Sequence, residues 1–313
     1  IKEQAMNQRY KNFLELLKSG ETILLDGATG SELENRGIKM DNSWCATGSL
    51  EGDTLKQIHK DYIEAGAKVI ATNTYASNRM VLEVAGVDDK FEEINLSAIN
   101  AALDARKETG RDDVLIGGSL SHQIPYEDAF KNQEERENYR KKLTPEYFQK
   151  NFDELAFFLA DNGCDFIFLE LMYRPDRIEI VFDSASKVGL PVWAGFSSRS
   201  IPDGLIALTT DYEYTFKKMI NNVKHHKLDA VGIMHCDISV IEESIRELRE
   251  VYDVPIMAYP EVAVFNFPNY DMSNVISPED YLIEAKKWKD AGAQLIGGCC
   301  GTTVEHIKLL NQL

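Results

Sequence analysis

The chain has 313 residues, of which 44% are hydrophobic, and it carries a formal net charge of −17. This length and composition suit one α/β barrel or two ordinary globular domains. The charge disfavours nucleic acid and anionic membranes as partners, and no apolar run approaches the roughly 20 residues of a membrane span. Five cysteines, and an N-terminus without an apolar signal core, favour a cytoplasmic protein over a secreted disulfide-bonded one.

Short apolar runs alternate with longer amphipathic segments along the chain. The runs predict strands at Ile23–Leu25, Val69–Ala71, Val114–Gly117, Phe166–Leu169, Val192–Phe196, Ala230–Met234, Pro255–Ala258 and Gln294–Gly297. The amphipathic segments predict helices, for example at Leu55–Ala65, Phe91–Lys107, Pro145–Asp161, Ile178–Lys187, Val240–Val251 and Glu279–Asp290. Gly66, Gly163 and Gly292 stand where a helix ends before a strand, a position that favours glycine because the backbone takes a positive φ there.

Apolar strands covered by helices indicate a parallel sheet that is buried on both faces. Eight strand–helix units in this length favour a (β/α)8 barrel, and a doubly wound open sheet is the alternative. The open sheet would carry a glycine-rich phosphate turn after the first strand, and Asp26–Gly30 lacks that spacing. We therefore expect residues 1–313 to form a single barrel domain in which residues 1–20 are an N-terminal helical extension.

Three cysteines stand at predicted strand ends, on the face of a barrel where active sites lie. Cys236 follows the sixth strand, and the adjacent Cys299 and Cys300 follow the eighth. Neighbouring cysteines do not easily bond to each other, but both can face one metal ion. Three converging thiols with one coordination position left over are typical of a catalytic zinc site, so the sequence predicts Zn²⁺ as cofactor.

Four segments make the chain resemble the homocysteine S-methyltransferase family, which includes betaine-, S-methylmethionine- and folate-dependent members. The segments are Leu25–Leu33, Thr72–Tyr75, Gly232–Cys236 and Gly297–Thr302, and the likeness runs from about residue 20 to the end. The resemblance implies a (β/α)8 barrel in which zinc, held by Cys236, Cys299 and Cys300, binds homocysteine as a thiolate.

The same resemblance implies roles for residues around the substrate. Asp26 and Glu170 would hold its ammonium group, and the backbone amides around Gly27 and Ala28 would hold its carboxylate. Tyr75 matches a tyrosine that lies near the zinc in betaine-dependent members, and we group it with the three cysteines as a catalytic residue.

Trp44 and Tyr75 are candidates for an aromatic wall around a methylated cation. The chain departs from the family pattern at His235, where most members carry Asn, and at Glu261, where Asn is also usual. Both are included among the candidate substrate-binding residues. A carboxylate at Glu261 favours a cationic donor, whereas His235 is left open between a partner of the metal ligands, a donor contact and a core histidine.

These observations predict a zinc-dependent S-methyltransferase that makes methionine from homocysteine. The methyl donor would be an onium compound, either betaine or a sulfonium such as S-methylmethionine or dimethylsulfoniopropionate. Two alternatives remain: a folate- and cobalamin-linked homocysteine methyltransferase subunit, and a non-catalytic zinc-binding barrel. The connections at residues 119–144 and 259–277 are long enough to act as lids or binding loops, and a homo-oligomer is left open.

Overall fold

The computed structural model describes residues 7–313 and contains the predicted parallel barrel. The barrel strands are β1 (Ile23–Leu24), β2 (Val69–Ala71), β3 (Leu115–Ser121), β4 (Phe166–Met172), β5 (Val192–Phe196), β8 (Ala230–Asp237), β9 (Ile256–Glu261) and β12 (Leu295–Ile296). Two antiparallel hairpins add β6 (Ser198–Ile201) with β7 (Gly204–Ala207), and β10 (Val264–Asn266) with β11 (Asn269–Asp271).

The barrel strands pair in the order β1-β12-β9-β8-β5-β4-β3-β2, and every neighbouring pair is parallel. A parallel bridge between Leu25 and Val69 joins β1 to β2 and closes the ring. The prediction of a (β/α)8 barrel is therefore confirmed, and the open-sheet alternative is excluded.

Helices surround the strands. They are α1 (Gln8–Lys18), α2 (Gly30–Asn35), α3 (Gly52–Glu64), α4 (Arg79–Ala85), α5 (Phe91–Glu108), α6 (Gln133–Arg140), α7 (Pro145–Asp161), α8 (Ile178–Lys187), α9 (Phe216–Asn222), α10 (Ile241–Val251), α11 (Pro278–Ala291) and α12 (Val304–Leu309). Gly66, Gly163 and Gly292 have φ values of 115°, 102° and 114°, as their places after α3, α7 and α11 predict. None of the helices in this described part of the chain is both long and apolar enough to cross a membrane.

Alternate residues of each strand pack on opposite sides of the barrel wall. The inner cluster includes Phe166, Phe168, Trp193 and Met234. The outer layer lies between the strands and the helices and includes Ile233, on the strand position next to Met234. This inside–outside alternation decides which strand-end side chains can reach the mouth of the barrel.

Helix α1 lies within the predicted N-terminal helical extension, and its apolar side chains join the inner cluster. Tyr10, Phe13 and Leu17 pack with the residues inside the barrel. The indole Nε1–H of Trp193 donates to the Tyr10 hydroxyl at 2.8 Å. Residues 1–6 of the predicted extension lie outside the described part of the chain.

The connections at the mouth contain structure that the apolar pattern does not predict. The first long connection contains α6, and the second folds into the β10–β11 hairpin. The β6–β7 hairpin turns at Pro202 and Asp203, a proline–aspartate–glycine turn signal between a half-buried β6 and a largely buried β7. The strands of the β10–β11 hairpin bury little apolar surface, so their sequences lack the continuous hydrophobic runs that mark the barrel strands.

We expect Phe13→Ala to lower the free energy of unfolding by about 3 kcal/mol, because it leaves a cavity in the inner cluster. Phe13 is only 4% exposed, whereas Phe157 on α7 is 44% exposed. The matched control Phe157→Ala should therefore cost less than about 1 kcal/mol. Urea denaturation of the two variants measures both values, and equal losses would contradict the role given to α1.

Candidate metal and thiol site

The double-cysteine segment follows β12 and is held against the end of β9. The Cys299 amide donates to the Pro260 carbonyl at 2.8 Å, and the Val262 amide donates to the Cys300 carbonyl at 2.8 Å. These bonds hold the segment at the mouth of the barrel, beside the ends of β8 and β9.

Two glycines before the cysteines allow this part of the chain to lie close to its neighbours. A Cβ atom on Gly297 would stand 2.6 Å from the Asp26 carbonyl oxygen, and one on Gly298 would stand 2.7 Å from the Tyr281 hydroxyl oxygen. Neither approach is possible for a residue with a side chain unless the neighbour moves, which explains the Gly-Gly step on packing grounds.

Two thiols and one imidazole form a compact group at the mouth. The Sγ atoms of Cys299 and Cys300 are 3.6 Å apart, and the His235 Nδ1 atom lies 3.2 Å from the Cys299 Sγ atom. One ligand atom from each residue lies within 4.8 Å of the others. Ligands of tetrahedral zinc are about 3.5–3.8 Å apart, given Zn–S bonds of about 2.3 Å and Zn–N bonds of about 2.0–2.1 Å. The donor atoms and their spacing therefore fit a zinc ion.

Cys236, expected as the third thiol ligand, is not part of this group. It is 2% exposed and belongs to the outer layer between strands and helices. The pairing of β8 with β9 shifts between Met234 and Asp237, and His235 in this interval has a φ of 49°. This irregularity reverses the side-chain alternation, so that His235 faces the mouth and Cys236 faces the outer layer.

Hydrogen bonds and neighbouring charges strongly polarise the group. A hydrogen bond from Cys299, together with the nearby His235, holds the pKa of the Cys300 thiol well below its ordinary value of 9.0. Burial alone would lower the pKa of His235, but hydrogen bonding with Cys300 and Glu170 raises it to about 10. The arrangement therefore favours a thiolate at Cys300, which is the state that a soft metal ion requires.

A small inner chamber of about 60 Å³ lies behind the thiols. Glu170 and Ala28, two of the predicted substrate-binding residues, border it together with Tyr259. The Glu170 carboxylate contacts the His235 Nε2 atom at 3.2 Å. The Ala28 amide already donates to the Thr302 hydroxyl at 3.1 Å. Glu170 thus lies beside both the chamber and the histidine.

Asp26 and Gly27 lie behind the wall of this chamber. The Tyr259 hydroxyl donates to one Asp26 oxygen at 2.7 Å, and the Ala71 amide donates to the other at 2.8 Å. Gly27 offers its carbonyl oxygen to the same hydroxyl at 3.4 Å. Both oxygens of Asp26 therefore have partners within the protein, so the structure places Asp26 behind Tyr259 and not directly at the chamber.

A larger outer cavity of about 790 Å³ opens on the other side of the thiols. Trp44, Tyr75 and Glu261, which the sequence predicts to bind a cationic donor, all border it. The Trp44 and Tyr75 rings are 5.1 Å apart, and the Tyr75 ring stacks on the His235 ring at 5.3 Å. Burial raises the pKa of Glu261 to about 7.

The side chains shared by the two cavities define where they meet. Tyr75, His235, Tyr270 and Cys300 border both. Tyr270 comes from the β10–β11 hairpin, and Phe265 on the same hairpin lies 5.0 Å from the Trp44 ring. The sequence analysis did not name either residue, although the length of the connection that carries them indicated a binding loop.

The fold and the site define an α/β-barrel enzyme with a sulfur-rich group at the mouth of the barrel. The homocysteine S-methyltransferase family model matches residues 23–313. The chain therefore belongs to the homocysteine S-methyltransferase family and is a methyltransferase, in a family whose reaction is methyl transfer to homocysteine.

Similar proteins agree with this assignment over nearly the whole chain. Homocysteine S-methyltransferase 3 of Zea mays is 27% identical, with 94% of this chain and 90% of the relative covered. Selenocysteine Se-methyltransferase of Brassica oleracea var. italica is 26% identical, with coverages of 97% and 92%. The crystal structure of the metallated homocysteine methyltransferase MmuM of Escherichia coli has the same fold, with a TM-score of 0.71, 21% identity and coverages of 95% and 98%.

Asp26 should make the stability of the protein depend on pH. Burial raises its pKa from 3.8 to about 7, so the folded protein holds a proton that the unfolded chain releases between these values. Its stabilising contribution is complete below pH 3.8 and is lost as the pH rises through about 7. The free energy of unfolding of Asp26→Asn, relative to that of the wild type, should therefore rise by on the order of 1–4 kcal/mol from pH 4 to pH 8.

Urea denaturation of both proteins at pH 4, 6 and 8, with a chelator present, measures this difference. Asp104 is exposed on α5, so Asp104→Asn serves as the matched control and should show no such trend. A constant difference between Asp26→Asn and the wild type across this range would contradict the buried, proton-holding environment of Asp26.

Proposed function

We propose that this enzyme transfers a methyl group from a cationic onium donor to the sulfur of homocysteine, giving methionine, with zinc as cofactor. The observation that carries the proposal is the position of the Cys300 thiol, beside that of Cys299, where a small chamber and a large aromatic cavity meet. An acceptor in the chamber and a donor in the cavity would face each other there. Holding two reactants in this way makes their reaction effectively intramolecular.

The inner chamber would hold the amino-acid end of homocysteine. The Glu170 carboxylate borders it and would attract the substrate ammonium group. The backbone around Ala28 and Thr29 also borders it and would face the substrate carboxylate. Asp26 would act through Tyr259, since it accepts that hydroxyl's hydrogen bond and holds the ring at the chamber wall.

Cys299 and Cys300 would be two of the protein ligands of the zinc ion. Both side chains border the inner chamber, and Cys300 also borders the outer cavity. When bound, the metal supplies the acceptor thiol as a thiolate, which is the nucleophilic form of sulfur. Tyr75 borders both cavities and would align the two substrates there.

The outer cavity suits a methylated cation. Trp44, Tyr75 and Phe265 present aromatic rings, which attract onium groups through their faces. Above its pKa of about 7, the Glu261 carboxylate adds a negative charge at the same wall. In the transfer, the bond from the methyl carbon to the donor heteroatom breaks and its electron pair stays with the donor. A new bond forms between the methyl carbon and the acceptor sulfur, and the onium nitrogen or sulfur becomes a neutral amine or thioether, so the donor needs no acid from the protein.

Methionine formation from homocysteine tests this function directly. We expect zinc-loaded protein to turn over with at least one of glycine betaine, dimethylsulfoniopropionate, S-methylmethionine and S-adenosylmethionine. Cys299→Ala should lower the rate at least about 100-fold, because it removes a ligand. Cys164→Ala, at a buried cysteine of the outer layer, is the matched control and should keep most of the activity.

The other outcomes separate the alternatives. Turnover only with methyltetrahydrofolate and cobalamin would favour the folate-linked subunit. Bound zinc without turnover of any donor would favour the non-catalytic barrel. Full activity in Cys299→Ala would contradict the assignment of Cys299 as a ligand of a metal that the reaction requires.

Glu261→Gln should raise the KM for the onium donor by about tenfold, or about 1.4 kcal/mol, and leave the KM for homocysteine unchanged. The reason is the loss of a negative charge beside the cationic group. Glu127→Gln is the matched control, since Glu127 also borders the outer cavity but is paired with Arg136. Steady-state kinetics measure both, and an unchanged donor KM in Glu261→Gln would remove Glu261 from the donor site.

A further inference from the structure

The irregularity in β8 reverses the directions in which two adjacent side chains point, those of His235 and Cys236. Met234 packs inside the barrel and Ile233 packs outside, so strict alternation would point residue 235 outward and Cys236 inward. The left-handed backbone at His235 breaks that alternation. Cys236 consequently lies in the outer layer, and the imidazole of His235 occupies the position at the mouth that alternation would give to the thiol.

The contacts of the His235 ring fit a metal ligand. Its Nδ1 atom lies 3.2 Å and its Nε2 atom 3.4 Å from the Cys299 Sγ atom, both within a few tenths of an ångström of the spacing between two ligands of zinc. Its Nε2 atom faces the Glu170 carboxylate at 3.2 Å. Histidines that bind metals through one nitrogen commonly donate from the other to a carboxylate, which fixes the tautomer and the ring orientation. The stacked Tyr75 ring further restrains the plane of the imidazole.

We infer that the metal of this enzyme is held by one nitrogen and two sulfur atoms, from His235, Cys299 and Cys300, and that Cys236 is not a ligand. Glu170 is then a positioning residue for His235 as well as a wall of the inner chamber. The inference rests on the metal dependence in the proposed function. Compared with three thiolate ligands, these three metal ligands carry one negative charge less. The metal therefore favours a further anionic ligand, such as a substrate thiolate.

The test measures the ligands of the metal without any substrate. X-ray absorption of the zinc-loaded wild type should show one nitrogen and two sulfur ligands from the protein, and cobalt-substituted protein should show the matching thiolate-to-metal absorption. Cys236→Ala should bind the same amount of metal with unchanged spectra. His235→Ala should lower metal affinity at least about 100-fold, and Glu170→Gln about 10–100-fold. Circular dichroism checks that each variant is folded.

A variant that replaces the inferred nitrogen ligand with a sulfur ligand provides a second test. His235→Cys should retain the metal and increase the thiolate absorption, because it places a third sulfur at the mouth. Three sulfur ligands in the wild type, or loss of metal from folded Cys236→Ala, would overturn the inference, as would a wild type that binds neither zinc nor cobalt. Methionine formation by a three-sulfur site would overturn this inference alone. A site with one nitrogen and two sulfurs but no methyl transfer would overturn the proposed function alone.

Discussion

Closure of the parallel barrel is the constraint on which the site depends. Because every strand runs in the same direction, the C-terminal ends of all eight strands meet at one rim. Residues far apart in the chain are thereby brought into contact. His235 lies 65 residues from Glu170 and 64 from Cys299, yet its ring contacts both side chains at 3.2 Å. The apolar interior below them supplies a rigid base for this polar group.

The rim also holds the unusual backbone conformations of this structure. Within residues 7–313, Trp44, Leu171 and His235 are the non-glycine residues with positive φ, and all three border the outer cavity. Such conformations cost on the order of 1–3 kcal/mol each and persist where the surrounding structure holds them. Here the hydrogen-bonded barrel provides that support, and the result is three side chains on the wall of the outer cavity.

The two cavities separate the recognition tasks of the proposed reaction. Short segments after β1 and β2 border the inner chamber together with Glu170 and Tyr259, and the proposed reaction assigns this chamber to the amino-acid end of the acceptor. Aromatic residues from several connections border the outer cavity, which is much the larger of the two. Selectivity for the donor would then depend on the connections, which can vary without disturbing the barrel.

Much of this architecture could be predicted from the sequence. Helices α7 and α8 begin and end where the amphipathic pattern placed them, because their apolar stripes are local and regular. The β10–β11 hairpin could not be identified from apolar runs, since its short strands are half-buried or exposed, and in the β6–β7 hairpin only β7 carries a short buried apolar run. The aromatic wall that the second hairpin supplies was missed for the same reason.

The sequence by itself determined the barrel and the strand ends that carry thiols, because hydrophobic periodicity and adjacent cysteines are local properties of the chain. Only the tertiary structure decided that His235, and not Cys236, faces the mouth. A single irregularity in β8 inverts the alternation of its side chains, and the pairing with β9 accommodates it. The partners of Asp26 were likewise decided by long-range contacts, with Tyr259 and Ala71, which no local pattern encodes.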